Sequence, residues 1–210
     1  VLAKGEATLS VAISEPGAGA HPKHLKTSAR REGDHYILNG EKAYLTNGPI
    51  ADHFIILAIT DETEGRKSFS AILVPADNAG LERTEGVKID FLHPCPHGGI
   101  RLTNCKVGVE NLIGVVGDAF TRTSMRMRAI EDAAGAGGTV GAFQCLLNDI
   151  VPITLKEKAL EIGAISTQLQ LLEVGAAELA KMVENENDGL APILEMQLGF
   201  HQQCQTLSKA

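Results

Sequence analysis

The residues best suited to chemistry lie between positions 11 and 48. An apolar segment runs into Ser14-Glu15-Pro16-Gly17-Ala18-Gly19-Ala20. A strand that ends in a loop with two glycines can bring bare backbone N–H groups close to a diphosphate, which a bulky side chain would exclude. A second segment, Tyr44-Leu45-Thr46-Asn47-Gly48, returns toward the first and adds an aromatic face and a hydroxyl. Together they read as a site for a phosphate-bearing cofactor.

These residues need strands to hold them. Residues 7–13 read as the first strand, broken by the glycine loop. Lys26 to Arg31 and Tyr36 to Leu38 follow on either side of a Glu32-Gly33-Asp34 turn, and Asn39-Gly40 is the strongest hairpin signal in the chain. Glu41 to Thr46 is then a separate returning strand, His53 to Thr60 a continuous apolar run, and Ser68 to Pro75 an alternating one, with Leu81 to Ile89 and Ile100 to Val107 completing the set. These short strands, separated by turn residues, predict an antiparallel sandwich or small barrel.

The pattern changes near Asn111-Leu112-Ile113-Gly114, beyond which apolar residues recur every three or four positions. A domain boundary is therefore expected at 115/116, followed by part of an up-down helical bundle, which makes the fold class α+β. The first helix should run from Asp118 to Ile150. Its Gly135, Gly137, Gly138 and Gly141 would weaken it by about 4 kcal/mol in isolation, at roughly 1 kcal/mol each, so a helix or ligand should pack on that face. Thr154 and Glu157 form a capping box for a second helix with Pro152 just outside, whose apolar stripe runs from Leu155 through Ile162, Leu169, Leu172 and Leu179 to Met182. A third helix carries Ile193, Phe200, Cys204 and Leu207. Three such stripes leave a bundle incomplete, calling for another helix or a second subunit.

Composition removes several function classes. A formal charge of -7, spread without acidic or basic blocks, repels nucleic-acid phosphates and gives no purchase on anionic membranes. No run approaches the roughly 20 apolar residues of a membrane span. Cys95, Cys105, Cys145 and Cys204 are scattered without a disulfide-like framework, which predicts a reducing, cytoplasmic compartment. His93-Pro94-Cys95-Pro96-His97 presents three potential metal ligands, but two prolines stiffen it and no fourth ligand is spaced nearby, so no metal is expected. Cys145 and Cys204 fall on apolar stripes and read as buried hydrophobes, and His201 has no partner nearby in sequence. The start at Val1, with no initiator Met, reads as a piece of a longer protein.

Ile13-Ser14-Glu15-Pro16-Gly17-Ala18-Gly19 resembles the first signature of the acyl-CoA dehydrogenases. Gly33 to Lys42 is similar to that family's hairpin, Tyr44-Leu45-Thr46-Asn47-Gly48 to its aromatic-aliphatic-hydroxyl motif, and Val109-Glu110-Asn111-Leu112-Ile113-Gly114 to the exit toward its helices. The resemblance implies a middle β-domain followed by part of a C-terminal helical domain. It also implies FAD as cofactor, held by the backbone and side chains of Val11, Ile13, Ser14, Gly17, Gly19, Ala20, Tyr44, Leu45 and Thr46, with the Ser14 and Thr46 hydroxyls as donors to the flavin. An acyl-CoA substrate, an electron-transfer flavoprotein or similar acceptor, and a homo-oligomer formed through the helices follow from the same resemblance.

The implied reaction is α,β-dehydrogenation of an acyl-CoA thioester, with Glu131 at the position of the base in the isovaleryl-type branch and Asp132 in place of that branch's arginine. Two adjacent carboxylates can raise one pKa, which suits a base that removes an α-proton. The chain departs from the family at Ala20-His21, where Ser-Asp is usual, at Tyr44, where Trp is common, and in lacking Arg-x-x-Phe-Gly after the first long helix. Those departures keep an alternative open: a binding or scaffold protein without dehydrogenase activity.

Overall fold

A computed structural model describes residues 2–87, 94–185 and 189–209. They form two compact units, Val1–Ser124 and Met125–Ala210. The division falls beyond 115/116 because the first residues after the last strand still belong to the sheet. Gly117 N donates to Ser70 Oγ at 2.9 Å, Asp118 bridges Phe69, and the Phe120 ring lies 6.0 Å from that of Phe69.

The first unit is a mixed sheet of β1 (Leu9–Ala12), β2 (Ser28–Glu32), β3 (His35–Thr46), β4 (His53–Thr63), β5 (Arg66–Pro75), β6 (Leu81–Thr84), β7 (His97–Gly108) and β8 (Leu112–Ile113). The strand order is β6-β7-β3-β2-β4-β5-β8, with β1 beside β4. Most pairings are antiparallel, but β1 and β2 both run parallel to β4 and share one of its edges. Leu9–Ala12 takes the first half, opposite His53–Ile56, and Ser28 meets Ile59 further along. Residues 13–27, the glycine loop included, thus bridge the point where two strands divide one edge. The apolar run of β4 is explained by burial: Phe54, Ile56 and Ala58 join Leu38, Leu45, Ile72, Val74 and Ile100 in one core, where each large side chain contributes about 1.5–3 kcal/mol.

Asn39-Gly40 is not a hairpin turn. Both residues lie inside the continuous twelve-residue β3, and the turn between β2 and β3 is Gly33-Asp34, with Glu32 opposite His35. The pairing of β3 with β7 instead shifts register between Leu38 and Gly40. There Asn39 Oδ1 accepts from Asn104 N at 2.8 Å, and an added Cβ at Gly40 would sit 2.7 Å from Thr27 Cα. An Asn-Gly pair satisfies a bulge as readily as a turn.

The second unit holds α1 (Arg126–Asn185) and α2 (Leu190–Leu207); a π-helical turn, Phe120–Met125, precedes α1. Two helices are present as expected, but the boundary between them does not fall at Pro152. Pro152 lies inside α1, and the break falls at Lys158, with φ -129° and ψ 34°. Thr154 Oγ1 donates to Ile150 O at 3.1 Å, a mid-helix back-bond and not an N-cap. Ile162, Leu169, Leu172 and Leu179 pack with Phe200, Cys204 and Leu207 as their spacing predicts, but Leu155 is exposed. Cys145 is also exposed, against the expectation of burial. Cβ atoms added at Gly135, Gly137, Gly138 and Gly141 would meet nothing within 4 Å, so no described residue packs closely on them. The helical stretch 120–185 is long and apolar enough to cross a membrane by length and composition alone; its Ile162, Leu169, Leu172 and Leu179 pack against α2, whereas Leu146, Ile150 and Ile153 are exposed.

Candidate functional site

The site is built on the last five residues of β3. Through Tyr36, Leu38 and Lys42, even-numbered residues face inward. Between Lys42 and Leu45 the pairing with β7 shifts, so that two residues of β3 oppose Gly99. Gly99 permits this close approach, since a Cβ there would lie 2.7 Å from Lys42 O. The bulge reverses the phase of the strand. Ala43 and Leu45 now point inward, while Tyr44 (44% exposed) and Thr46 emerge together on the outer face. Tyr44 has φ 60°, an uncommon conformation for an aromatic residue, of the kind that persists where its surroundings over-determine it.

Three hydrogen bonds stitch this strand end to β1 and its loop. Ser10 Oγ donates to Thr46 O at 2.8 Å, Ala43 N to Ser14 O at 2.9 Å, and Lys42 Nζ to Ile13 O at 2.9 Å. Lys42 is completely buried, and its ammonium also meets Glu15 Oε1 at 3.0 Å. The Glu15 carboxylate further accepts from Lys26 N at 2.7 Å and Thr27 N at 2.9 Å. Burial works to raise the Glu15 carboxyl, but the Lys42 charge and the hydrogen bonds from Thr27 and Lys42 outweigh it and hold it below the usual range. Burial brings the Lys42 ammonium down to about 8 against the opposing pull of Glu15, so both groups are charged at neutral pH.

The structure therefore brings Val11, Ile13 and Ser14 beside Tyr44, Leu45 and Thr46, with Ile13 and Leu45 buried as supports. Gly17 and Gly19 adopt φ 73° and 56°, but the loop spends part of its backbone on itself: Ala18 N and Gly19 N both donate to Glu15 O at 3.1 Å, and Glu15 N donates to Gly19 O at 2.9 Å. Ala20 is exposed at its end. Glu131 lies in the second unit, exposed on α1. Its neighbour Asp132 faces Arg128 at 3.6 Å, so Asp132 is engaged with a cation. His93 lies outside the described residues, and among those described no group of three metal-ligating side chains gathers.

Sequence reasoning passed over Ser10 and the Glu15–Lys42 pair, and weighed His97 only as a metal ligand. A charged Lys42 on the inward phase of Tyr36 and Leu38 was the available signal. His97 Nε2 lies 3.1 Å from Thr46 Oγ1, and its Nδ1 lies 3.0 Å from Cys95 O; only the fold brings His97 and Thr46 together.

The arrangement presents an aromatic face, a hydroxyl and the edge of β1 opposite β4, which pairs with no other described strand. A planar heterocycle with donors and acceptors along one side fits such an edge, as does a ligand that stacks on an exposed ring. Such a face has the shape and polarity to seat a flat ligand. Residues 10–105 match the family described as acyl-CoA dehydrogenase, middle domain, and the chain belongs to the acyl-CoA dehydrogenase family, covering the middle domain and part of the C-terminal one. It is 32% identical over 157 residues to a 3-(aryl)acrylate reductase of Clostridium sporogenes (75% of this chain, 41% of the relative). It is 31% identical over 173 residues to a cyclohex-1-ene-1-carbonyl-CoA dehydrogenase of Syntrophus aciditrophicus (82% of this chain, 41% of the relative). The fold matches a probable acyl CoA dehydrogenase from Mycobacterium abscessus with a TM-score of 0.75 at 19% identity, over 97% of this chain and 57% of that one. The chain thus spans less than half the length of these two curated relatives.

Proposed function

We propose that this chain is the middle β-domain and the first helices of a FAD-dependent enzyme that acts on the Cα–Cβ bond of acyl-CoA thioesters. The phase reversal in β3 carries the reading, because it puts Tyr44 and Thr46 on one exposed face beside the loop formed by residues 13–20. FAD, when bound, supplies the hydride acceptor. The protein's part is binding and orientation: Tyr44 would cover the ring system, the backbone and hydroxyl of Thr46 and the edge at Val11, Ile13 and Ser14 would set its position, and Gly17, Gly19 and Ala20 would hold its phosphates. Leu45 supports them from beneath. Glu131 is assigned as the base that takes the α-proton onto its carboxylate. The two relatives are named for opposite directions, a reductase and a dehydrogenase, and dehydrogenation is the direction proposed here.

An electron-transfer flavoprotein or similar acceptor belongs to the same reading, since electrons taken from a thioester need a carrier. The exposed Leu171, Val174 and Leu198 of the helical unit support a homo-oligomer, the four free cysteines support a cytoplasmic setting, and the chain's acidity supports action away from nucleic acids and membranes.

The purified full-length protein should be yellow, with bands at about 370 and 450 nm, and an acyl-CoA panel should bleach it anaerobically. A Glu131→Gln variant that bleaches at the normal rate removes Glu131 as base. The second reading, a scaffold without flavin, is favoured by the engagement of Ala18 N and Gly19 N within the loop; it predicts colourless protein that takes up no added FAD.

A further inference from the structure

We propose that His97 is a positioning residue that makes the Thr46 hydroxyl a hydrogen-bond acceptor, rather than a donor, toward whatever lies on the exposed face of β3. The inference rests on the reading that this face holds flavin. It follows from the two ring contacts taken together. Cys95 O, 3.0 Å from Nδ1, is a carbonyl and can only accept, so Nδ1 carries the proton. In the neutral imidazole Nε2 is then bare, and at 3.1 Å from Thr46 Oγ1 it can only accept the hydroxyl proton. Thr46 has one proton to give and gives it to His97. What its oxygen offers outward is lone pairs.

The consequence is the reverse of the donor role that the resemblance implies for this hydroxyl. With N5 of a flavin facing it, an acceptor at Thr46 would discriminate between the two redox states, because the reduced ring carries N–H at N5 where the oxidised ring has a bare nitrogen. His97 would then favour the reduced cofactor by fixing which way one hydroxyl points. The surroundings make that fixing effective. Asn47 N donates to Pro96 O at 2.8 Å, tying the segment before His97 to the strand end. Gly98 and Gly99 let β7 close against Pro49 and Lys42, and Ser10 Oγ holds Thr46 O from the other side.

The test uses the full-length protein loaded with FAD, all measurements at about pH 8.5, where histidine is ordinarily neutral. The midpoint potential of the bound flavin is read for the wild type, His97→Phe, His97→Gln, Thr46→Val and the Phe/Val double variant. His97→Phe should lower the preference for reduced over oxidised flavin about tenfold, a fall of about 30 mV for a two-electron couple. His97→Gln, whose amide oxygen can accept from the hydroxyl, should restore most of it. In the Thr46→Val background His97→Phe should add nothing. Nitrogen-15 NMR of the imidazole, with or without flavin, should show the Nδ1–H tautomer, a readout that survives if a variant fails to fold. A His97 found as the Nε2–H tautomer overturns the proposal. So does a potential that shifts with Thr46→Val but not with His97→Phe, which leaves the flavin reading intact. A potential indifferent to Thr46→Val defeats that placement of the flavin, and the His97 proposal with it.

Discussion

Replacing Lys42 with methionine tests the physical core of the site. The substitution keeps the length and apolar stem of the side chain but removes an ammonium that is 0% exposed. It leaves the Glu15 carboxylate buried with two backbone donors, Lys26 N and Thr27 N, and strips Ile13 O of its partner. Removing one member of a buried ion pair costs about 3–5 kcal/mol, mostly because the remaining charge is stranded. Against a typical domain stability of about 5–15 kcal/mol, that loss is large enough to read directly from urea unfolding of the full-length protein. Adding Glu15→Gln should return part of it, since the stranded charge is gone and one acceptor remains for the two N–H groups. If Lys42→Met costs under about 1 kcal/mol, the pair is not what anchors Ile13 and the account of the loop is wrong.

The pH dependence has a definite sign for each partner. Glu15, held below its ordinary 4.5 in the folded state, contributes stability that is fully present above 4.5 and is lost as pH falls through its folded value. Unfolding at acid pH should therefore be steeper in the wild type than in Glu15→Gln. Lys42 works in the opposite sense. Its folded value of about 8 lies below lysine's 10.5, so the burial of its charge costs stability below about 8, and that cost is relieved as pH rises toward 10.5.

Gly40→Ala should destabilise the β-domain by about 1–3 kcal/mol, as overpacking does, because its Cβ would meet the Thr27 backbone; a neutral outcome in urea unfolding would mean that β2 and β3 are not packed so tightly. Gly138→Ala, in open space on α1, should stabilise the helical unit by about 1 kcal/mol; a thermal shift downward in the full-length protein would show that a further segment packs on that face. Iodoacetamide at mildly alkaline pH should alkylate Cys95 and Cys145, both exposed, and spare Cys105, which is buried and whose thiol burial raises to about 11; mass spectrometry of the labelled peptides decides.

What the sequence disclosed and what it withheld divide along a physical line. β4 was legible because a buried strand leaves an apolar run, β5 because its residues alternate, and the stripe from Ile162 to Leu179 because one helical face must meet α2. Asn39-Gly40 misled because local chemistry is the same for a turn and for a bulge, and only the distant Asn104 and Thr27 decide between them. Pro152 misled in a related way, since a proline that starts a helix and one that is carried inside it have the same local neighbours. The site itself shows the limit most clearly. Tyr44 and Thr46 alternate as any strand residues do, and an unbroken β3 would have turned them inward and put Leu45 in the solvent. What exposes them is a one-residue bulge opposite Gly99, more than fifty positions along the chain, and what orients the Thr46 hydroxyl is His97 beside that same glycine. The types of the residues that bear on the ligand are thus local information, whereas their direction is set by a pairing that no local pattern records. For that reason the direction of a single proton, from Thr46 to His97, is the feature on which the chemistry of the site turns.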